Sequence, residues 1–378
     1  MAGIVTLIAR HGKIVHFSAV GYADVEKRQR METDTIFRFY SMTKPITSTA
    51  LMMLYEEGRF QMSDPLSKYI PEFAALRVLR TPDSAPGDTV PPDRAPTVQD
   101  AMRHTAGFTH GLTTDAYDAQ YTNANVFGLD VSLAEMMGKL ARIPLRYQPG
   151  TKYAYSVGPD IQARLVEVLS GMPFDEFLEK RLFGPLGMRD AAFWLQPDKA
   201  KRLAAVHWER NGRLVPLDEA HGHPAGGVIV EPWSVNSYTV NHRRKGGSFG
   251  LVGTAEDYWR FAQMMLNGGQ LDGVRILSPQ VVRYMARDHL GAIAMQAPDG
   301  RPTGTGFGLG FAVMKDPAAA GYMSSEGTFF WSGAAATHFW IDPVEDMVVV
   351  VMTQHLGAPN VTKLAAQMHT LVYSALLE

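Results

Sequence analysis

The chain has 378 residues, of which 46% are hydrophobic and 20% charged, a balance typical of a folded globular protein rather than a disordered one. Its 36 lysine and arginine residues against 38 aspartate and glutamate residues give a net charge of −2, so the basic excess of a nucleic-acid-binding protein is missing. The sequence contains no cysteine, which excludes disulfides, thiolate metal sites and cysteine nucleophiles.

Hydrophobic runs are short throughout the sequence. The longest, Ala50–Tyr55 and Met347–Met352, fall far below the roughly 20 residues that a membrane-spanning helix needs. The first nine residues lack the basic start of a signal peptide, and Arg10 ends their apolar stretch. We therefore expect neither a membrane partner nor a nucleic-acid partner, and a cytoplasmic location fits the lack of cysteine.

Predicted strands lie at both ends of the chain, and predicted helices fill the middle. Gly3–Ala9 and Ile14–Tyr22 flank a His11-Gly12-Lys13 turn and predict a β-hairpin. Helices are predicted at Thr43–Glu57, after capping boxes that begin at Thr97 and Ser132, and at Gly158–Ser170, Phe174–Leu182 and Thr254–Leu266. A second hairpin is predicted around Asn211-Gly212. The last region predicts strands at Gly306–Met314, Thr328–Ser332, Thr337–Ile341 and Met347–Thr353, then a helix at Val361–Leu377.

This order of elements predicts an α+β protein with two lobes. Residues 1–42 and 190–378 are expected to form one mostly antiparallel sheet, built from both termini and flanked by helices. Residues 43–189 are expected to form an inserted, mostly helical lobe beside it. A small-molecule site is then expected in the cleft between the two lobes.

The segment Ser41-Met42-Thr43-Lys44 carries the clearest chemical signal. At the start of a helix, this spacing places Ser41 and Lys44 one turn apart on the same face. A serine hydroxyl needs a nearby base to become a nucleophile, and a lysine in a poorly solvated site can accept its proton. A helix N-terminus also favours a developing oxyanion. A capping serine beside a solvated lysine is the alternative, and the S-x-x-K pattern alone does not decide between them.

Two further segments carry candidate chemistry. Tyr155 precedes a predicted helix, where its hydroxyl can face a cleft and shuttle a proton. The late strand ends in Trp331-Ser332-Gly333-Ala334, and the glycine lets a ligand approach the backbone. An N–H just past that glycine can form an oxyanion hole with the N–H of Ser41. Taken singly, a packed aromatic residue and a core strand explain these two segments equally well.

Together the three segments resemble the serine β-lactamase-like fold. Tyr40–Pro45, Pro149–Ser156 and Trp331–Gly333 are similar, in this order, to motifs of family VIII carboxylesterases, relatives of class C β-lactamases and D-Ala-D-Ala peptidases. Arg103-His104-Thr105-Ala106-Gly107 resembles the H-T-S-G turn of the family. Relatives usually carry a helix before the first strand, and this sequence begins at that strand.

The resemblance implies a set of roles. Ser41 is the expected nucleophile and forms an acyl-enzyme, while Lys44 and Tyr155 transfer its proton. The N–H groups of Ser41 and Ala334 are the expected oxyanion hole, and Trp331 and Gly333 are expected to contact the substrate. No cofactor is implied.

Two departures from the family pattern bear on the substrate. Val157 stands where β-lactamases and peptidases have the Asn of Tyr-x-Asn, and Trp331 stands where they have the Lys of Lys-Thr-Gly. Losing that cation should disfavour acidic β-lactams, and the large apolar face of Trp331 should favour neutral esters. We therefore expect a carboxylesterase acting on short-chain acyl esters. A β-lactamase, a D-amino-acid amidase, an acyltransferase and a non-catalytic binding protein remain alternatives.

Two other motifs are expected to carry no chemistry. Gly246-Gly247-Ser248-Phe249-Gly250 fits G-x-S-x-G, but that elbow needs a buried strand before it and a helix directly after it. The residues before it are polar and the next helix starts only at Thr254, so we predict a loop. His221 and His223, with Glu219, are expected to lie in a solvated loop, and no metal is expected.

Overall fold

An eight-stranded antiparallel sheet organises the computed structural model, which describes residues 1–111, 113, 115–218, 236–295, 303–356 and 360–377. The strands are β1 Gly3–Arg10, β2 Lys13–Asp24, β3 Gln29–Arg30, β4 Phe37–Arg38, β5 Val78–Leu79, β6 Thr89–Val90, β7 His207–Arg210, β8 Arg213–Pro216, β9 Val252–Gly253, β10 Gln270–Leu271, β11 Val274–Arg275, β12 Thr305–Phe307, β13 Ala312–Met314, β14 Phe329–Ser332, β15 His338–Asp342 and β16 Met347–Met352. The large sheet has the order β12-β13-β14-β15-β16-β1-β2-β3, so the first strand of the chain pairs with the last. In that pair Val5 lies opposite Met352 and Arg10 opposite Met347.

Helices cover both faces of this sheet. They are α1 Thr43–Glu56, α2 Val98–Met102, α3 Ala119–Asn123, α4 Leu133–Leu140, α5 Gly158–Ser170, α6 Phe174–Leu178, α7 Gly184–Leu186, α8 Pro197–Ala200, α9 Asn236–Thr239, α10 Ala255–Leu266, α11 Pro279–Met285, α12 Pro317–Ala320 and α13 Asn360–Ser374. On β16, Val348 and Val350 belong to the main core with α10, whereas Val349 and Val351 pack with Val372 of α13. Burial of both faces explains the unbroken apolar run of this strand.

Local sequence signals set most helix boundaries as predicted. The capping boxes that begin at Thr97, Ser132 and Thr254 are all formed, each with its acidic partner three residues on. Helix α1 ends at Glu56, and Gly58 then takes a left-handed φ of +73°. No helix in the described part of the chain is long and apolar enough to span a membrane.

The two central helices, α1 and α5, pack against each other and are almost fully buried along their first turns. Between them, the hydroxyl of Ser48 donates a 2.6 Å hydrogen bond to Oε1 of Gln162. This packing brings the chain that enters α1 close to the chain that enters α5. Those two entrances carry the motifs with candidate chemistry.

The fold class, the N-terminal hairpin and the hairpin around Asn211-Gly212 agree with the prediction, but two elements differ from it. Gly306–Met314 is not one strand: β12 and β13 form a hairpin in which Thr305 lies opposite Met314. The turn between them contains the fully buried Leu309 and Phe311, so its composition imitates a strand. The predicted helix Phe174–Leu182 breaks into α6 and a π-helical turn, Glu179–Phe183. The proposed division into two lobes stays a prediction.

Candidate active site

Ser41 lies in a short 3₁₀ turn, Tyr40–Met42, that runs directly into α1. Tyr40 has a φ of +47°, in the left-handed region that residues other than glycine seldom adopt. Such strain is concentrated at functional sites, where the surrounding structure enforces it. Ser41 itself is only partly buried.

The three side chains predicted to act together meet at Ser41. Lys44 Nζ donates to Ser41 Oγ at 3.0 Å, and the hydroxyl of Tyr155 donates to the same oxygen at 2.9 Å. Lys44 Nζ also lies 4.7 Å from the centre of the Tyr155 ring. Lys44 is 4% exposed, whereas Tyr155 is partly open like the serine. The serine hydroxyl therefore lies within hydrogen-bond reach of two groups that can carry its proton.

A second partner holds Lys44, and the sequence did not reveal it. Lys44 Nζ donates to the backbone carbonyl of Ser248 at 2.8 Å. The N–H of Ser248 donates to Asp160 Oδ1 at 3.2 Å, and its hydroxyl donates to Asp160 Oδ2. Asp160 is fully buried, and burial raises the pKa of its carboxyl group. Val157, at the position of the family asparagine, is buried and apolar, so it offers Lys44 no polar partner.

The G-x-S-x-G serine is thus tied into the protein interior. Ser248 is 4% exposed, and its hydroxyl is committed to Asp160. Residues 246–250 form a loop, as predicted, and the bond to Asp160 makes Ser248 a poor candidate for a nucleophile. The glycines around it have a steric role, because an added Cβ on Gly247 would lie 2.0 Å from the carbonyl oxygen of Pro159.

The predicted oxyanion donors lie on two segments that touch. An added Cβ on Gly333 would lie 2.5 Å from the carbonyl oxygen of Phe39 and 2.2 Å from Thr337 Oγ1, so only glycine fits. This close approach brings the end of β14 against the residues that lead into Ser41. Within the described residues, neither the N–H of Ser41 nor that of Ala334 donates to another protein group. Both remain available to a ligand oxygen.

An aromatic wall stands beside the serine. The ring centroid of Trp331 lies 5.5 Å from that of Tyr155 and 5.3 Å from that of Phe307. Tyr153 continues the wall, 5.4 Å from Phe307, and its buried hydroxyl has no hydrogen-bond partner among the described residues. The surface offered by Trp331 is apolar, as its replacement of a lysine implies.

Glu219, His221 and His223, the residues of the predicted solvated loop, lie outside the described residues. Over the ranges that the structure does describe, no group of three or more potential metal ligands is found.

Comparisons with known proteins agree with one another. The family profile described as Beta-lactamase matches residues 1–372. An uncharacterized protein of Mycobacterium tuberculosis is 34% identical over 377 residues, covering 97% of this chain and 89% of that protein. Esterase EstB of Burkholderia gladioli is 30% identical over 368 residues, covering 93% of this chain and 86% of EstB.

Among solved structures, EstCE1 superposes with a TM-score of 0.84 at 25% identity, covering 99% of this chain and 94% of EstCE1. It is described as a hydrolase with promiscuous acyltransferase activity.

Proposed function

Because this chain belongs to the beta-lactamase family of serine hydrolases, we propose that it is a carboxylesterase for short-chain acyl esters. One observation carries the proposal: Ser41 Oγ receives hydrogen bonds from both Lys44 and Tyr155, beside a tryptophan in the position of a substrate-binding cation.

In the proposed acylation, Ser41 Oγ attacks the carbonyl carbon of the ester. The serine proton passes to Lys44, with Tyr155 assisting through the shared oxygen. The bond from the carbonyl carbon to the alcohol oxygen then breaks, and Tyr155 protonates the departing alkoxide. The product is an alcohol and an ester of the acyl group with Ser41.

Deacylation is proposed to use the same groups in reverse. Tyr155, supported by Lys44, takes a proton from water, which attacks the acyl carbon and releases the free acid while Ser41 regains its proton. In both steps the N–H groups of Ser41 and Ala334 stabilise the oxyanion. Loss of one such donor typically raises the barrier by about 2.7–4 kcal/mol.

The side chain of Trp331 supports a preference for neutral esters. An indole face lowers the cost of placing an apolar acyl or alcohol group beside the serine, and it supplies no charge for a carboxylate. EstB and EstCE1, both named as esterases or hydrolases, support this choice of substrate class. A cytoplasmic location stays a prediction that rests on composition alone.

Two alternatives keep the same nucleophile. The description of EstCE1 favours transfer of the acyl group to an alcohol other than water as a second activity. A β-lactamase or D-amino-acid amidase would cleave an amide through the same acyl-enzyme. The apolar Trp331 argues against acidic β-lactams as the main substrates.

The test compares one ester with one β-lactam. We expect the wild type to hydrolyse p-nitrophenyl butyrate with a kcat/KM at least about tenfold above that for a chromogenic cephalosporin, and Ser41→Ala to abolish both activities. Ser63→Ala, at an exposed position, is the control and should change neither. Undiminished ester turnover by Ser41→Ala would exclude the proposed nucleophile, and faster cephalosporin turnover would exclude the proposed substrate class.

A further inference from the structure

His104 occupies an unusual backbone position beneath the site. It is 1% exposed and has a φ of +59°, a left-handed conformation in which histidine is tolerated better than most residues. Its ring lies against three aromatic rings, with centroids 4.9 Å from Tyr155, 5.1 Å from Phe307 and 5.8 Å from Tyr153. Nothing in the proposed reaction uses this residue.

His104 holds the backbone on both sides of Tyr155. The N–H of Ala154 donates to the carbonyl oxygen of His104 at 2.9 Å. The N–H of Ser156 donates to His104 Nδ1 at 3.1 Å, and the Ser156 hydroxyl lies 2.9 Å from the same nitrogen. The left-handed turn allows one residue to reach both peptides, because it turns the carbonyl and the ring toward the same segment.

These contacts fix the state of the imidazole. Since Nδ1 accepts a backbone N–H, the ring proton must be on Nε2. Burial holds the pKa of His104 well below its usual value. A second proton on Nδ1 would face the N–H of Ser156 and break the contact. The neutral ring also adds no charge beside Lys44.

We propose that His104 is a positioning residue that fixes the phenol of Tyr155 on the hydroxyl of Ser41 by holding the peptides before and after it. The inference rests on the proposed function, since it gives Tyr155 a role in proton transfer. The distance from Tyr155 to Ser41 Oγ is 2.9 Å, and a displacement of about 1 Å can cost about 100-fold in rate.

Three substitutions distinguish the contact made by the backbone carbonyl of His104 from the contact made by its ring nitrogen Nδ1. His104→Gly keeps the left-handed conformation and the carbonyl but removes the acceptor. His104→Asn keeps both, because Asn tolerates this conformation and its Oδ1 is the same number of bonds from Cα as His Nδ1. His104→Gln fills more volume, but its amide oxygen is one bond farther out. It carries the test if His104→Gly does not fold.

The first measurement is ester hydrolysis with kcat and KM separated. We expect His104→Gly, or His104→Gln in its place, to lower kcat by about 10–100-fold with KM changed less than about threefold. His104→Asn should retain kcat within about fivefold of the wild type. Wild-type kcat in His104→Gly would overturn the proposal, because the acceptor would then be dispensable. Equal losses in His104→Asn and His104→Gly would overturn it as well.

The second measurement asks whether the effect passes through Tyr155. In a Tyr155→Phe background the phenol is already gone, so His104→Gly should lower kcat by less than about threefold further. A full additional loss of 10–100-fold would show that His104 acts independently of the phenol, against the proposal.

A fluorophosphonate probe keeps this inference separable from the proposed function. If the wild type is labelled at Ser41 and His104→Gly is labelled more slowly by a similar factor, both stand. If the wild type is labelled and the variant reacts equally fast, only the positioning role fails. If the wild type is not labelled at all, the proposed function fails first.

Discussion

Nζ of Lys44 donates a 2.8 Å hydrogen bond to the backbone carbonyl of Ser248, across 204 residues of sequence. The side chain expected to act as base is therefore held between the serine it serves and a loop from the far half of the chain. The loop contributes a carbonyl oxygen rather than a hydroxyl. This arrangement leads to the first prediction, which separates the two serines of the sequence that look catalytic.

We expect Ser248→Ala to keep ester hydrolysis within about fivefold of the wild type, because the carbonyl that receives Lys44 remains. The same change leaves the buried carboxyl of Asp160 short of a partner, which typically costs about 1–3 kcal/mol. Urea unfolding should show that loss of stability, and a nitrophenyl ester assay should show the retained activity. A drop in activity as deep as that of Ser41→Ala would contradict the assignment of the nucleophile.

The second prediction compares two neighbouring tyrosines. Tyr155→Phe removes the hydroxyl that contacts Ser41 but keeps the ring, so kcat should fall by about 10²–10⁴-fold while KM changes little. Tyr153→Phe removes a buried hydroxyl that finds no partner in the part of the chain that the structure describes, so activity should stay within about twofold and stability should not decrease. Steady-state kinetics and thermal melting of both variants provide the measurement. Similar kinetic losses in the two would count against a proton-transfer role for Tyr155.

The third prediction concerns substrate charge. Trp331→Lys places an ammonium group where the indole now stands beside Tyr155. An ionic hydrogen bond contributes about 1.5–3 kcal/mol, so the ratio of cephalosporin to ester kcat/KM should rise about tenfold or more. Trp331→Phe keeps an apolar ring and should leave that ratio within about threefold. An unchanged ratio in the lysine variant would mean that this position does not read the charge of the substrate.

The fourth prediction follows from two buried histidines at the interface between the sheet and α13. His338 Nε2 lies 3.4 Å from His369 Nε2, and His369 Nδ1 donates to the carbonyl oxygen of Met323 at 3.0 Å. Both rings are therefore neutral, with His338 donating to His369. Burial lowers the pKa of His338 to about 3 and that of His369 to about 4.

Because the unfolded chain binds protons to these rings below about pH 6.5 and the folded chain does not, folding stability rises with pH in that window. The stability that the two neutral histidines contribute is fully present above about pH 6.5 and is lost as the pH falls toward 4. At pH 5 the loss is about 2 kcal/mol for each histidine. In urea unfolding at pH 7 and pH 5, His369→Phe should lose less stability between the two values than the wild type. An equal loss would contradict the neutral pair.

Spacing within short segments made much of the site predictable. Ser41 and Lys44 are three residues apart in a helical turn, so their contact follows from local geometry. Tyr155 and the stretch that contains Gly333 were candidates on their residues alone, and only the resemblance to a known family favoured a chemical role over simple packing. Two of the hairpins were predictable as well, since a glycine follows His11 in one turn and Asn211 in the other.

The residues that support Lys44 and Tyr155 could not be predicted from spacing within short segments. Asp160 and Ser248 meet only because α5 packs against a loop that is distant in sequence. No local pattern predicts that a backbone carbonyl is the partner of Lys44. The role proposed for His104 depends on a left-handed φ that histidine adopts without any glycine signal. The β12–β13 turn was missed because Leu309 and Phe311 are buried, and hydrophobic turns resemble strands.

The pairing of β1 with β16 also determines when the large sheet can form during synthesis. Residues 3–10 are synthesised long before their partner strand, which ends at residue 352. The centre of the sheet therefore cannot close until β16 has emerged, and the apolar first strand has an open edge until then. Pairing across such a separation is slow, and an unpaired strand edge is a site of aggregation until its partner emerges.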